Sequence, residues 1–347
     1  MCDPCLCLDV GSTNIKYALF ENGNRTDCGK CPFPAPTRSD NVFFEVSADA
    51  VFDSVKKIID GYPSAKNVFF SVQMHGHILS SEPTKYVSWR DERSLCGQVF
   101  ERYRNFIGKE ITSLSGTSSK PNLSVYSLLY EYENGKAPVG ELFSLGSYIV
   151  YRLTGNNISH VTDLCALGFY LKNGEVNQKL LSVLPFGIRL PVCVSKVQEC
   201  GEYRGIKIFT PVGDQQSSVF ALQEESDSIL NIGTATQICR IVAGDVYGNF
   251  ESRPYFYNKT LCTVTGLIGG AILRENKDFG ALKEKMSAQF RTALQNLHSK
   301  KRILCTGGAF SFYKEFIFEI LYGLGYLPFY KNSDALEGLQ LLSRRLK

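Results

Sequence analysis

Two stretches of this chain, more than two hundred residues apart, follow one pattern: DVGSTNIKYALF (Asp9–Phe20) aligns without gaps on NIGTATQICRIV (Asn231–Val242). Each is an apolar strand, then glycine with hydroxyl-bearing residues, then a second apolar strand, as in a tight β-hairpin. The separation is far beyond the roughly 20–50-residue period of a solenoid. The echo predicts two related domains, each opening with a strand–loop–strand. Their boundary is expected at 223–227, where QEESD interrupts apolar sequence, giving domains over 1–225 and 226–347. A chance match of Gly and Thr between unrelated hairpins is the alternative. Length agrees with the first reading, since 347 residues exceed one typical core and fit about two.

Composition narrows the class. With 44% hydrophobic and 21% charged residues the chain is ordinary globular sequence, which excludes disorder. The formal charge of +4 comes from Lys and Arg scattered among acids, so no basic stripe points to nucleic acid. No apolar run approaches the roughly 20 residues of a membrane span. MCDPCLCLDV carries an acid where a secretory signal needs positive charge. The expectation is a cytoplasmic protein with small-molecule partners and neither nucleic acid nor membrane. Twelve irregularly spaced cysteines then read as reduced thiols. Cys2-x-x-Cys5 and Cys28-x-x-Cys31 have zinc-knuckle spacing, but Cys5-Leu6-Cys7-Leu8 also reads as a buried strand, which accounts for Cys5 without metal.

Between the two hairpins, strands alternate with helices, the mark of an α/β protein. CLCLDV and IKYALF are strands, and Asn22-Gly23 turns the chain into a third strand through Cys28. Further strands are expected at Val68–Val72 and Ile206–Pro211. Helices are expected at Ser47–Tyr62, Ser94–Ile107, Leu142–Leu153, Asp214–Leu222 and Phe279–His298. A last helix begins at Ser333, with Leu336, Leu339, Leu342 and Leu346 on one side.

Several loops carry chemistry. A glycine and hydroxyl loop between strands exposes backbone N–H groups that can cradle phosphate oxygens. Gly11 allows close approach, Ser12 and Thr13 add hydroxyls, and Lys16 either adds charge or simply faces solvent. Asp9 ends an apolar strand, where a carboxylate needs a partner, and a magnesium-bound water is one such partner. No Gly-x-x-x-x-Gly-Lys-[Ser/Thr] occurs, so this is not a Walker loop. Gly213-Asp214 opens a helix after an apolar strand, as an N-cap, as a general base for a hydroxyl attacking a phosphoryl group, or as both. Thr306-Gly307-Gly308 ends a strand and lets a flat ring or a ribose approach the backbone, as would a plain strand–helix turn. QMHGH (Gln73–His77) holds two of the chain's four histidines. His75 and His77 share a strand face, yet no nearby acid or cysteine completes a metal ligand set.

In order, these segments resemble the FGGY family of carbohydrate kinases. The resemblance rests on Asp9–Lys16, on Val72–Gly76 against the family's GQMHG, and on Trp89, Asp91 and Arg93 against its W-x-D-x-R. It continues through Leu153-Thr154-Gly155 with Thr162-Asp163, Gly213-Asp214, Gly233-Thr234 and Gly307-Gly308. It implies two actin-like, ribonuclease H-like domains with an interdomain cleft, the fold shared by sugar kinases, Hsp70 and actin. It also implies ATP and Mg2+ as cofactors and a sugar as substrate. QMHGHILSS, VSWRDERS and LNIGTATQI are similar to the subgroup that phosphorylates the seven-carbon ketose sedoheptulose, while xylulose kinases share QMHG in different surroundings. Carried over, Asp214 is the catalytic base and Asp9 acts on magnesium. Gln73, Met74, His75, Trp89, Asp91 and Arg93 line the sugar pocket. Gly11, Ser12, Thr13, Lys16, Gly233 and Thr234 hold phosphates, and Gly307 and Gly308 sit beside adenosine. The chain is shorter than the family in its second domain, between Gly269–Asn276 and the helix leading into LQNLHS. An active kinase and a sugar-binding relative without turnover both fit that shortening. A sugarless ATPase of the actin type would need neither QMHG nor W-x-D-x-R.

Overall fold

The structure, a computed structural model, describes residues 3–233, 235–275 and 278–346. The chain forms two compact units, Met1–Ser217 together with Ala335–Lys347, and Ser218–Asp334. The division therefore lies a few residues before the expected 225/226 and inside a helix. The final residues, read from sequence as part of the second domain, pack with the first.

In the first unit CLCLDV forms β1 (Cys5–Val10), buried at all six positions. It pairs antiparallel with β2 (Asn14–Glu21), which turns through Asn22 (φ 50°) and Gly23 (φ 85°) into β3 (Asn24–Pro32). Two successive positive φ values are what a hairpin twisted to match its strands requires. On its other side β1 pairs parallel with β4 (Asn67–Val72). A strand between a parallel neighbour and helices on its faces is expected to be continuously apolar, and CLCLDV is, apart from Asp9. β5 (Glu199–Tyr203), β6 (Ile206–Phe209) and the short β7 (Val212–Gly213) extend this sheet, with β6 and β7 both parallel to β4. Ser47 caps α1 (Ala48–Asp60) by accepting the Ala50 N–H, and Val51, Val55 and Ile58 are its buried face, as expected.

Two expected helices begin later than their apolar patterns suggest. The first is preceded by a 3-10 stretch, Arg93–Gln98, in which Gly97 and Gln98 sit at positive φ before α2 (Val99–Leu114). α3 (Ser124–Glu133) follows, and then a strand over Val139–Phe143. This strand replaces the expected start of the next helix at Leu142. α4 (Leu145–Thr154) starts where Ser144 and Ser147 form a reciprocal cap, and it ends at Gly155 (φ 81°). Cys28 and Cys31 lie three residues apart on β3, so their side chains leave opposite faces of the strand. Two thiols arranged this way cannot clasp one zinc ion. Cys2 lies outside the described residues.

α5 (Asp214–Phe220) leads into the second unit. Its strands are β8 (Ser228–Ile232), β9 (Thr236–Ala243), β10 (Glu251–Pro254), β11 (Lys259–Leu267), β12 (Arg302–Thr306) and β13 (Leu327–Tyr330), in the order β10-β11-β9-β8-β12-β13. Leu230, Ile232 and Ile303 pack with Phe290 of α6 (Phe279–Asn296) and Phe310 of α7 (Phe310–Gly323) in one core. The two sheets repeat each other. β6-β4-β1-β2-β3 and β13-β12-β8-β9-β11 run through the same sequence of parallel, parallel, antiparallel and antiparallel pairings. The gapless alignment holds for the first strand and departs at the turn. Val10 pairs with Ile15, whereas the corresponding Ile232 pairs with Thr236, so the second hairpin is one residue tighter.

α8 (Ala335–Arg344) completes the first unit, packing on β1, β2 and β4. Leu336, Leu339 and Leu342 are buried as their spacing predicts, while Leu346 is exposed.

Candidate active site

Strand register decides which loops meet in the first unit. Val10 of β1 and Gly213 of β7 are both partners of Val72 on β4. All three strands are parallel, so the residues that follow (Gly11, Gln73 and Asp214) leave the same sheet end side by side, at strand spacings of about 4.8 Å. The Gln73 N–H donates to Val10 O at 3.2 Å, which ties the second of these loops to the first. The three motifs are far apart in sequence and are united only by this row.

Asp214 is the first residue of α5 rather than the residue before it, and its Oδ1 accepts the Gln215 N–H at 2.8 Å. It is partly exposed. The backbone behind it is not free to move. Pro211 O accepts both the His160 N–H (3.1 Å) and the Ser159 hydroxyl (3.2 Å), and the Gly213 N–H donates to Thr162 Oγ1 (3.1 Å). A Cβ on Gly213 would fall 2.6 Å from Met74 Sδ and 2.9 Å from Thr162 O, so only glycine fits. Met74 thus buttresses the turn carrying Asp214. Below it, Asp163 is buried and accepts the hydroxyls of Ser144 (2.5 Å) and Ser159 (2.7 Å) through Oδ2. Burial raises its carboxyl to about 6 despite these donors.

Gln73 is 4% exposed, and among the described residues neither Oε1 nor Nε2 has a hydrogen-bond partner. Leaving an amide buried and unpaired costs about 1–3 kcal/mol, so this side chain keeps hydrogen-bonding capacity that the described residues do not use. The next residues turn sharply, with His75 at φ 72°. His77 is buried, and desolvation lowers its pKa to about 3, so it is a neutral structural residue bridged through its backbone to Val87. Asp9 is also nearly buried. Ser71 donates to its Oδ1 at 3.1 Å, and Lys16, paired opposite it on β2, brings Nζ to 3.9 Å of Oδ2. Ser12 and Thr13 are exposed, leaving their hydroxyls accessible.

Trp89 is 39% exposed and is held through its carbonyl by Asn122 Nδ2 at 2.7 Å. Asp91 and Arg93 are placed differently. Asp91 accepts the Phe44 N–H (2.7 Å), the Arg93 N–H (3.0 Å) and the Arg93 guanidinium. Arg93 also reaches Glu45 and Glu131. Both side chains are fully buried and bonded within the protein, so they fix the loop that presents Trp89. Sequence reading missed the segment opposite. Ser94 donates to Pro121 O and Ser124 to His75 O, so Pro121–Ser124 binds the Gln73–His77 and Trp89–Ser94 loops together. Its only sequence signal was Pro-Asn before an apolar run.

In the second unit the loops after β8 and β12 meet. The Ala309 N–H donates to Ile232 O (3.0 Å) and the Gly270 N–H to Gly233 O (2.9 Å). Gly307 adopts φ 112°, and a Cβ there would fall 2.4 Å from Ile232 O, whereas Gly308 faces open space. Gly270 is the residue missed here. A Cβ on it would lie 2.7 Å from Gly233 O, and the Gly-Gly before a helix was its signal. Thr234 lies outside the described residues.

No protein-family model matches the sequence, and no curated protein matches it. Solved structures do match the fold. A xylulose kinase from Lactobacillus acidophilus aligns over 99% of this chain and 89% of its own, with a TM-score of 0.84 and 17% identity. The chain has the actin-like fold of the sugar kinases. A gluconate kinase from Lactobacillus acidophilus aligns over 99% and 89% (TM-score 0.83, 17% identity). Plasmodium falciparum glycerol kinase with ADP aligns over 99% and 90% (TM-score 0.78, 13% identity). No helix of the described residues is long and apolar enough to cross a membrane.

Proposed function

We propose that the protein transfers the γ-phosphoryl group of ATP to a primary hydroxyl of a ketose. The observation that carries this reading is the single row that delivers Gly11, the orphaned Gln73 amide and Asp214 to one sheet end. These are a phosphate loop, a polyol contact and a carboxylate, the parts phosphoryl transfer requires. Gln73 pairs with sugar hydroxyls, His75 adds a polar contact and Trp89 covers an apolar face. Met74 lines the pocket floor, and Asp91 and Arg93 hold its wall. Gly11, Ser12, Thr13 and Lys16 in the first unit, and Gly233 and Thr234 in the second, are phosphate contacts. Gly307 and Gly308 adjoin adenosine.

Asp214 takes the proton as the sugar oxygen attacks Pγ. The O–P bond forms, the bond from Pγ to the bridging oxygen breaks, and ADP leaves with that oxygen. Magnesium fits the donor chemistry, because Asp9 offers hard carboxylate oxygens beside the Gly11–Thr13 loop and this ion is usually held by one or two carboxylates plus phosphates. When bound, it neutralises phosphate charge.

Sedoheptulose is the substrate favoured by the wording of QMHGHILSS and VSWRDERS, giving sedoheptulose 7-phosphate. Xylulose is the alternative, since structures of similar fold include xylulose kinases. ADP release with magnesium–ATP over a ketose panel tests both. We expect turnover with sedoheptulose, abolished in Asp214→Asn while sugar binding persists. Absence of ADP release with every ketose would sink the kinase reading.

A further inference from the structure

Behind Asp214 runs a directional chain of hydrogen bonds. His160 is buried, and its Nε2 lies 3.1 Å from Ser195 O. A carbonyl oxygen only accepts, so Nε2 carries the hydrogen. Burial lowers this histidine to about 4, leaving it neutral, so Nδ1 is an acceptor. Nδ1 has two donors available from Thr162, the hydroxyl at 2.9 Å and the backbone N–H at 3.2 Å. With no hydrogen on Nδ1, its contact with Thr162 Oγ1 is made by the Thr162 hydroxyl proton, shared at Nδ1 with the backbone N–H. Its oxygen lone pairs then face the Gly213 N–H, 3.1 Å away.

Each bond thus fixes the direction of the next. The series ends on the N–H of Gly213, the residue before Asp214, where an added Cβ would fall 2.5 Å from Gln216 Oε1 and 2.6 Å from Met74 Sδ. We propose that His160 and Thr162 are positioning residues that lock the Gly213 peptide and so set the direction of the Asp214 carboxylate. The proposal rests on Asp214 being the base of the reaction above. A local capping role also accounts for part of the geometry, since His160 accepts the N–H of the turn Val161–Leu164. Capping alone needs no Thr162 hydroxyl.

The hydroxyl is therefore the group to remove. Thr162→Val keeps the shape and leaves the Gly213 N–H without its acceptor, and Thr162→Ser restores it. Displacing a reacting group by about 1 Å can cost a hundredfold in rate, so we expect Thr162→Val to lower kcat at least about tenfold with the ketose KM within about twofold. Thr162→Ser should recover both. Two readouts need no turnover. Labelling with carbonyl-13C valine and 15N glycine isolates three Val–Gly amides (Gly11, Gly140 and Gly213) in the full chain. The Gly213 signal should move in Thr162→Val and return in Thr162→Ser, and the 15N spectrum of His160 should show the Nε2–H tautomer. An unmoved Gly213 amide, an Nδ1–H tautomer, or a moved amide with unchanged kcat would each overturn the proposal. If the wild-type protein turns over no ketose, the kinase reading fails on its own, and the Gly213 amide and His160 tautomer still decide whether the lock exists.

Discussion

Gln73 sets stability against function at a single residue. Its amide is buried without a partner among the described residues, which weakens the fold. We predict that Gln73→Leu leaves the melting temperature unchanged or raises it, while ketose affinity falls at least about tenfold, the loss expected for a hydrogen bond worth about 1.5 kcal/mol. Calorimetric melting and sugar titration check the two halves. His77 and His160 make a prediction about acid. Their folded pKa values are depressed from 6.5 to about 3 and about 4, so the stability they provide is present above pH 6.5 and lost as pH falls below it. Asp163 acts oppositely. Its folded value is raised from 3.8 to about 6, so it returns stability as pH falls through that window. Between pH 6 and 4 two histidines outweigh one carboxylate, for a net loss of about 1.4 kcal/mol per pH unit. His77→Gln should flatten that slope in denaturant titrations at pH 6, 5 and 4, and an unchanged slope would refute the assignment. The residue types of this site were legible in QMHGH and Gly213-Asp214. Their use was not, because burial alone separates His75 from His77, and only tertiary contacts commit Arg93 to three carboxylates.

At the scale of elements, sequence conveyed what is periodic or capped locally. α1 was readable from Ser47 and the Val51, Val55, Ile58 stripe, and the two glycine-bearing hairpins from their shared wording. α3 was not, because SVYSLLYEYE is rich in strand-forming residues and becomes helical through burial of Ser124–Leu129 along one stretch. The one-residue difference in hairpin register was equally hidden, being set by turn geometry that an ungapped alignment cannot express. α8 offers the element-scale test. A Cβ on Gly338 would fall 1.9 Å from the Ser217 carbonyl, and Ser217 donates its hydroxyl to Ala335 O at 2.8 Å. α8 is therefore clamped to α5, the helix that begins at Asp214. Backbone cannot yield as a side chain can, so Gly338→Ala should destabilise the first unit by about 1–3 kcal/mol, as overpacking typically does. It should also lower turnover, and melting curves with kcat measurements report both.

At the scale of the whole molecule, a twelve-residue echo predicted two related domains each opening with a strand–loop–strand; the common pairing order of the two sheets and the return of the chain to the first unit were not in it. Nothing local in Ala335–Arg344 says which sheet its leucine stripe will cover. That choice belongs to long-range packing on β1, β2 and β4. Deleting 335–347 should expose those strands, abolish sugar binding and lower the melting transition of the first unit more than that of the second. Scanning calorimetry of the truncated chain would show it as an asymmetric loss, and equal loss in both transitions would argue against the assignment of α8.

The same return has a consequence for how the molecule is made. Most of the first unit precedes the second along the chain, but its last structural piece follows after the whole of Ser218–Asp334. During synthesis the sheet bearing Asp9 waits without the helix that packs on β1, β2 and β4, in need of protection from misassociation. A chain that stops anywhere before residue 335 lacks that helix altogether.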